Sequence, residues 1–407
     1  MGERKPGQSK PQVHFIANAV YSEKVGGGDI HFYHMAEAVL RAGYPLHFFG
    51  GHALAEHLKA RGIEAQLTLT DERSLPPVNL DTLSGQAKLF RDYAGRYRRT
   101  LRALDEIQPE DIVYGVTDYW FDAWPMIRSR ARRKMMVLGM DAPSMRHIVT
   151  RGRPDVTATR LTSMYYWASQ NLSLRRFQKM PNKRFFYVHP LMKPRLLKMG
   201  YSEEELVFIS NGFDLEMADR TPEQPKEYDV VWVGRVHRQK GIDDLLATLL
   251  HLKARVPDFK ALLVGRLEHE LRPRIEETGL ADRVRFSGFV SEQEKFRLFK
   301  CSRVFLMPST YESWGIVVAE ALACGVPVVA YELEAYRPIF GELIRYVPPF
   351  DLEQFKAESL NAVEEARRSK IILSPDQLAA FKAEHSWQAA QAKFIRTLDG
   401  LAQRAVS

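Results

Sequence analysis

Two kinds of apolar pattern alternate along the chain. Short continuous runs at Val13–Ala17, Tyr44–Phe49, Asp111–Gly115, Met135–Met140, Leu206–Ile209, Tyr228–Gly234, Lys260–Gly265, Val284–Phe286, Val304–Met307 and Pro327–Ala330 read as buried strands. Longer stretches with helical spacing lie between them, at Asp29–Arg41, Gln86–Ile107, Pro273–Thr278, Glu292–Cys301 and Gly315–Ala323. A further strand-to-helix passage begins at Tyr187–Pro190, and Pro375–Val406 reads as one long helical tail. Strand-helix alternation of this kind predicts an α/β chain with parallel sheets, in two Rossmann-like domains facing a cleft. Glu216–Glu227 is polar and holds Pro222 and Pro225, so it reads as the hinge. The expected division is therefore 1–215, a linker at 216–227, a second domain at 228–375, and a helical tail at 376–407.

The most informative stretch is Pro308–Ala330, PSTYESWGIVVAEALACGVPVVA. It reads as strand end, loop, helix and next strand, with Gly325 placed to stop the helix. The loop carries Glu312 and the second helical turn carries Glu320. Glu320 stands among Val317, Val318, Ala319, Ala321 and Leu322, so it is not an ordinary surface carboxylate and needs a partner. The backbone N–H groups of Trp314, Gly315 and Ile316 open the helix, where an anion is favoured.

Glu312-Ser-Trp-Gly315 followed by Glu320-Ala-Leu-Ala-Cys-Gly325-Val-Pro327 resembles the E-x7-E signature of retaining, nucleotide-sugar-dependent GT-B glycosyltransferases, most closely family 4. Gly234-Arg235-Val-His237-Arg-Gln-Lys240-Gly241 is similar to the family's G-R-x-x-x-x-K-G loop, and Ser210-Asn211-Gly212-Phe213-Asp214 to its P-N-G-V-D junction loop. The resemblance implies that Arg235 and Lys240 bracket the donor diphosphate, with His237 either on phosphate or in water. It implies that Glu312 holds hydroxyls of the transferred sugar and Glu320 the ribose hydroxyls. Backbone at Gly288-Phe289-Val290 would cradle the nucleobase, making Phe289 and Val290 binding residues.

In the N-terminal half the resemblance is one of pattern. Gly26-Gly27-Gly28 sits where the family carries a glycine-rich loop, so Gly27 and Gly28 are expected in a loop near donor and acceptor, with Asp29 as helix N-cap. The family's sugar-facing histidine is matched here by Asp141, for which capping of the strand end is the alternative reading. After the last motif strand, Tyr331-Glu-Leu-Glu334-Ala-Tyr-Arg337-Pro338 replaces the family's Gly-Gly and Pro-Glu.

Composition narrows the partners. The chain has 407 residues, 45% hydrophobic, enough for two full cores. Only Cys301 and Cys324 are present, both in core elements, which reads as a reduced, cytoplasmic protein. The formal charge is +8, yet no zinc-ligand spacing or RNA-binding strand motif points to nucleic acid. Arg91, Arg96, Arg98, Arg99, Arg102, Arg128, Arg130, Arg132, Arg133, Arg175 and Arg176 gather in the N-terminal half with Tyr93, Tyr97, Trp120 and Trp124. This reads either as a solvated face or as a peripheral contact with the inner membrane face, without a spanning segment.

The reading is a metal-independent retaining hexosyltransferase with no cofactor beyond its donor. It moves sugar from a nucleotide diphosphate sugar to a hydroxyl acceptor, which can be a glycan or lipid-linked, in cell-surface polysaccharide synthesis. The expected site is Glu312, Arg235, Lys240 and Asp141 for catalysis, with Glu320, Gly27, Gly28, Trp314, Gly315, Ile316, Phe289, Val290 and His237 for binding. A GT-B nucleotide-sugar epimerase and a non-catalytic sugar-nucleotide binding protein are the alternatives.

Overall fold

The computed structural model describes residues 10–20, 27–74, 82–140, 142, 145, 148, 160–368 and 373–403. Two compact units emerge. One holds the chain up to Ser210 together with residues from Ala390 onward, and the other is Asn211–Ala389.

The first unit is built on a seven-stranded sheet. Its strands are β1 (Val13–Ile16), β2 (Leu46–Gly50), β3 (Gln66–Leu69), β4 (Ile112–Gly115), β5 (Arg133–Leu138), β6 (Lys183–Tyr187) and β7 (Leu206–Phe208). They run in the order β3-β2-β1-β4-β5-β6-β7, every pair parallel. The second unit has six parallel strands: β8 (Tyr228–Val233), β9 (Ala261–Val264), β10 (Val284–Gly288), β11 (Ser302–Met307), β12 (Val328–Tyr331) and β13 (Ile344–Val347). Their order is β10-β9-β8-β11-β12-β13. Strands covered on both faces can be apolar throughout, and β1, β2, β8, β9 and β12 are buried at every position. In the second unit Trp232, Leu245, Leu249, Leu263, Val304 and Leu306 are part of one core. Each unit is thus a Rossmann-like α/β layer structure, as the strand-helix alternation predicts.

Several local expectations are corrected. The first helix begins at Gly27, so Gly27 and Gly28 form its first turn instead of a loop ahead of Asp29. Gly26 and Asp141 lie outside the described residues. Inside the stretch read as a hinge there is a helix, Leu215–Arg220, capped by the Asp214 carboxylate, which accepts from Met217 N at 2.9 Å. The tail is two helices, Pro375–His385 and Trp387–Gln403, separated by an extended Ser386 that pairs with Phe213 and whose hydroxyl accepts from Ala389 N.

The arginine-rich face is also smaller than its sequence count. Arg96 is fully buried, paired with Asp71 at 3.0 Å and Asp92 at 2.6 Å. Its guanidinium also donates to the carbonyls of Asn18 and Val20, holding the end of the β1 loop. Arg133 and Lys134 lie within β5 and are buried; Lys134 Nζ is spent on the Met126 and Ser129 carbonyls. These charges became internal because carboxylates and carbonyls meet them, some near in sequence, as Asp92 for Arg96 and Ser129 for Lys134, and some distant, as Asp71 for Arg96. Arg91, Arg98, Arg102, Arg128, Arg130, Arg132, Arg175 and Arg176 remain exposed. Among the described residues no helix is long and apolar enough to cross a membrane.

Candidate active site

In the second sheet the strand order reverses between β8 and β11. Ligands of open α/β sheets bind at such a switch point, beyond the carboxyl ends of the strands. Both key motifs are there. The loop after β8 carries Arg235, His237 and Lys240, and the loop after β11 carries Glu312 and leads into the helix Ile316–Ala323.

The two loops are fastened to each other. Thr310 N donates to Gln239 O at 2.8 Å, and Gln239 Nε2 donates to Tyr311 O at 3.4 Å. Gly241 has φ +63°, and a Cβ there would stand 1.9 Å from the Pro308 carbonyl oxygen. Only glycine satisfies both the left-handed backbone and that close approach. Across this junction Lys240 Nζ meets Glu312 Oε1 at 2.5 Å, with each side chain 12% exposed. Residues 72 positions apart therefore form one charge pair at the switch point. Arg235 is exposed earlier on the same loop, and His237 is half-buried with its Nδ1 accepting from Gln239 N at 3.3 Å.

Gly315 caps the next helix with φ +93°. A Cβ on it would come within 3.0 Å of the Tyr336 ring, so glycine is needed here too. Trp314 is buried against Phe340 and His385, with ring centroids 5.6 and 5.9 Å away. Its indole packs the core of the unit, which leaves only its backbone to a ligand. Ile316 is half-buried at the helix start.

Glu320 lies one turn further on and is 5% exposed. Its Oε1 accepts from Lys295 Nζ at 2.8 Å, while its Oε2 is buried without a partner. Burial pushes the Glu320 carboxyl up to about 7, with Lys295 pulling it down and Glu292 pushing it up. Burial also opposes charge on Lys295, but Glu320 and Glu292 outweigh it and keep the ammonium above its ordinary range. Nothing in the local pattern pairs Lys295 with a carboxylate 25 positions away, and sequence reasoning missed it.

On the β10 side, Gly288 adopts φ +71° and turns the chain outward. Phe289 is 75% exposed, with the Arg266 guanidinium 5.1 Å from its ring centroid. Val290 is half-buried, and Ser291 then caps the helix Glu292–Lys300 that carries Lys295. The divergent segment after β12 is well packed: Tyr331 and Tyr336 are fully buried, Tyr331 donates to Asp244 at 2.7 Å, and Arg337 pairs with Glu332 and Glu342. Glu312, Lys240, Arg235 and the Phe289 loop thus all follow the carboxyl ends of strands in one sheet, and Glu320 lies on the helix after β11. Gly27 and Gly28 belong to the other unit.

Residues 215–372 match the family model described as glycosyl transferases group 1. The phosphatidyl-myo-inositol mannosyltransferase of Mycolicibacterium smegmatis is 37% identical over 171 residues, covering 40% of this chain and 44% of that protein. A glycosyltransferase from Rickettsia africae superposes with a TM-score of 0.69 at 15% identity, over 98% of this chain and 100% of the other. Anabaena HepE, solved in complex with UDP and glucose, superposes with a TM-score of 0.67 at 19% identity, over 96% and 100%.

The chain has the GT-B fold and resembles the family 4 glycosyltransferases.

The aligned stretches span about half the length of the curated phosphatidyl-myo-inositol mannosyltransferases that the chain matches. In this GT-B chain the family-matched stretch runs from just before β8 to beyond β13. Arg235, Lys240, Glu312, Glu320 and Lys295 all fall inside it; Gly27, Gly28 and Asp141 fall outside.

Proposed function

We propose that the protein is a retaining glycosyltransferase that moves a hexose-type sugar from a nucleotide diphosphate donor to a hydroxyl acceptor. The observation that carries this reading is the Lys240–Glu312 pair at the switch point, one turn of chain from the start of the helix Ile316–Ala323 and on the loop that also carries exposed Arg235. Breaking the anomeric C–O bond leaves negative charge on the β-phosphate, and in this reading Arg235, Lys240 and the first N–H groups of that helix stabilise it. The acceptor oxygen bonds to the anomeric carbon on the face the phosphate leaves, and the leaving phosphate takes the acceptor's proton. No enzyme carboxylate serves as nucleophile, in contrast to retaining glycosidases with two facing carboxylates. Glu312 orients the sugar, and Glu320 holds the ribose. Similarity to a mannosyltransferase and to a protein crystallised with UDP and glucose supports a nucleotide sugar as donor.

The purified chain, incubated with a panel of UDP- and GDP-sugars and extracted glycan or glycolipid acceptors, should release nucleoside diphosphate and form glycosylated acceptor. Epimerised donor in the absence of acceptor would instead make it an isomerase. Binding with neither product would make it a binding protein.

A cytoplasmic enzyme of cell-surface polysaccharide synthesis meets its acceptor at a membrane, and the first unit has a surface suited to one. Phe90 and Tyr165 are 50% and 47% exposed, and both rings lie 5.9 Å or less from another aromatic ring in a group with Tyr97 and Trp120. Arg128 donates to Tyr97, and Arg176 lies 4.2 Å from the Trp124 ring centroid. Exposed aromatics flanked by arginine fit an anionic interface, where each basic side chain contributes about 1 kcal/mol. The chain should cosediment with anionic liposomes at low salt and be released at high salt. Equal binding to neutral liposomes, or none at low salt, would contradict this.

A further inference from the structure

We infer that Lys295 is a positioning residue for the nucleotide: it holds one oxygen of Glu320 so that the other stays open to a ribose hydroxyl. This rests on the reading of Glu320 as the ribose contact.

Three observations converge on it. Lys295 Nζ lies 2.8 Å from Glu320 Oε1 and 2.8 Å from Glu292 Oε2, so two of its three donors are fixed. Glu320 is 5% exposed, and its second oxygen, Oε2, has no hydrogen-bond partner. A buried carboxylate oxygen left unpaired is costly, and such groups mark ligand or catalytic positions. Lastly, Lys295 stands four residues past Ser291, whose side chain caps its helix immediately after the exposed Phe289 loop. One rigid helix therefore connects the loop expected at the base with the carboxylate expected at the ribose.

Without Lys295 the carboxyl would sit in an apolar helix interface with no cation. Among the elements packed on the helix Ile316–Ala323, the strands β11 and β12 present buried apolar side chains. Lys382 and Asp219, from the helices Pro375–His385 and Leu215–Arg220, bond each other at 3.0 Å. His385 packs on the Trp314 and Phe381 rings, and Lys300 is bound to the Thr221 carbonyl. Lys295 and Glu292 are the charged groups that act on Glu320. Burial already places the carboxyl near 7, so loss of the lysine drives it further toward the neutral acid. A neutral acid is a poorer acceptor for a ribose hydroxyl.

The test is calorimetric titration of the full chain with UDP and GDP and with their 2′-deoxy forms, at pH 6.5 and 8.5. The parent should prefer the ribonucleotide by about tenfold, the worth of one charge-assisted hydrogen bond. Lys295→Met should bring that preference to within about threefold at both pH values. Lys295→Gln, which still reaches Oε1 with a donor but carries no charge, should keep the preference at pH 8.5 and lose it at pH 6.5. If Lys295→Met does not fold, judged by its melting temperature and near-UV circular dichroism, Lys295→Gln decides. A folded variant with the parent's affinity and ribose preference at both pH values overturns the role of Lys295. A parent that binds neither nucleotide overturns the donor-site reading itself.

Discussion

Replacing Lys240 with alanine should lower turnover about a hundredfold or more, and adding Glu312→Gln to that variant should cost little further. The ammonium and the carboxylate are 2.5 Å apart and each 12% exposed, so either one alone is left as a poorly hydrated, unpaired charge. Together they tie the loop after β8 to the loop after β11, and the Gln239–Thr310 bond and the close contact of Gly241 with Pro308 keep that junction stiff. Removal of the lysine thus takes away the cation proposed for the leaving diphosphate and also the anchor of the carboxylate proposed to face the sugar. Steady-state kcat for the parent, both single variants and the double variant forms a closed cycle. Losses that multiply would mean that the two residues act independently, and the pair would be no catalytic unit.

Glu320→Gln should weaken binding of the free nucleoside diphosphate by about tenfold or more, the worth of a hydrogen bond to a charged group. Glu312→Gln should leave that binding nearly intact and lower the rate instead. The difference follows from position. Glu320 is on the second turn of the helix Ile316–Ala323, against the helix from the Phe289 loop, and Glu312 is at the junction of the loops after β8 and β11. Calorimetry with the free nucleoside diphosphate separates the two. Equal losses of affinity would dissolve this division of labour.

Much of the second unit was legible because a parallel sheet writes itself as apolar runs. Tyr228–Val233, Ala261–Val264 and Val328–Tyr331 are buried at every position and appear as such in the sequence. Strands with mixed composition were harder. Ile344–Val347 and Gln66–Leu69 carry half-exposed residues and were not read as strands, and β6 begins at Lys183, a lysine that bonds Glu205 and the Met180 carbonyl. The helix Leu215–Arg220 and the break at Ser386 had local signals, an Asp and a Ser N-cap, which the nearby prolines and the helical spacing outweighed.

The site divided in the same way. Motif spacing placed Arg235, Lys240 and Glu312 on one sheet edge, because each lies in the loop that follows its strand, and Glu320 on the helix that the β11 loop leads into. Pair identities were invisible: Lys240 with Glu312 spans 72 positions, and Lys295 with Glu320 spans 25. Trp314 was read for its backbone N–H alone, and the structure adds that its ring is a core element, enclosed by Phe340 and His385. The arginine count overstated the basic face because Arg96 and Arg133 are buried, where Asp71 and the Glu110 carbonyl, both distant in sequence, meet them.

The most direct test of the donor site is a crystal structure of the full chain with a bound nucleoside diphosphate. The account predicts the diphosphate beside Arg235 and Lys240, at the start of the helix Ile316–Ala323, with a ribose hydroxyl on Glu320 Oε2. A nucleotide bound elsewhere on the chain, or one at this edge with its ribose turned away from Glu320, would contradict it.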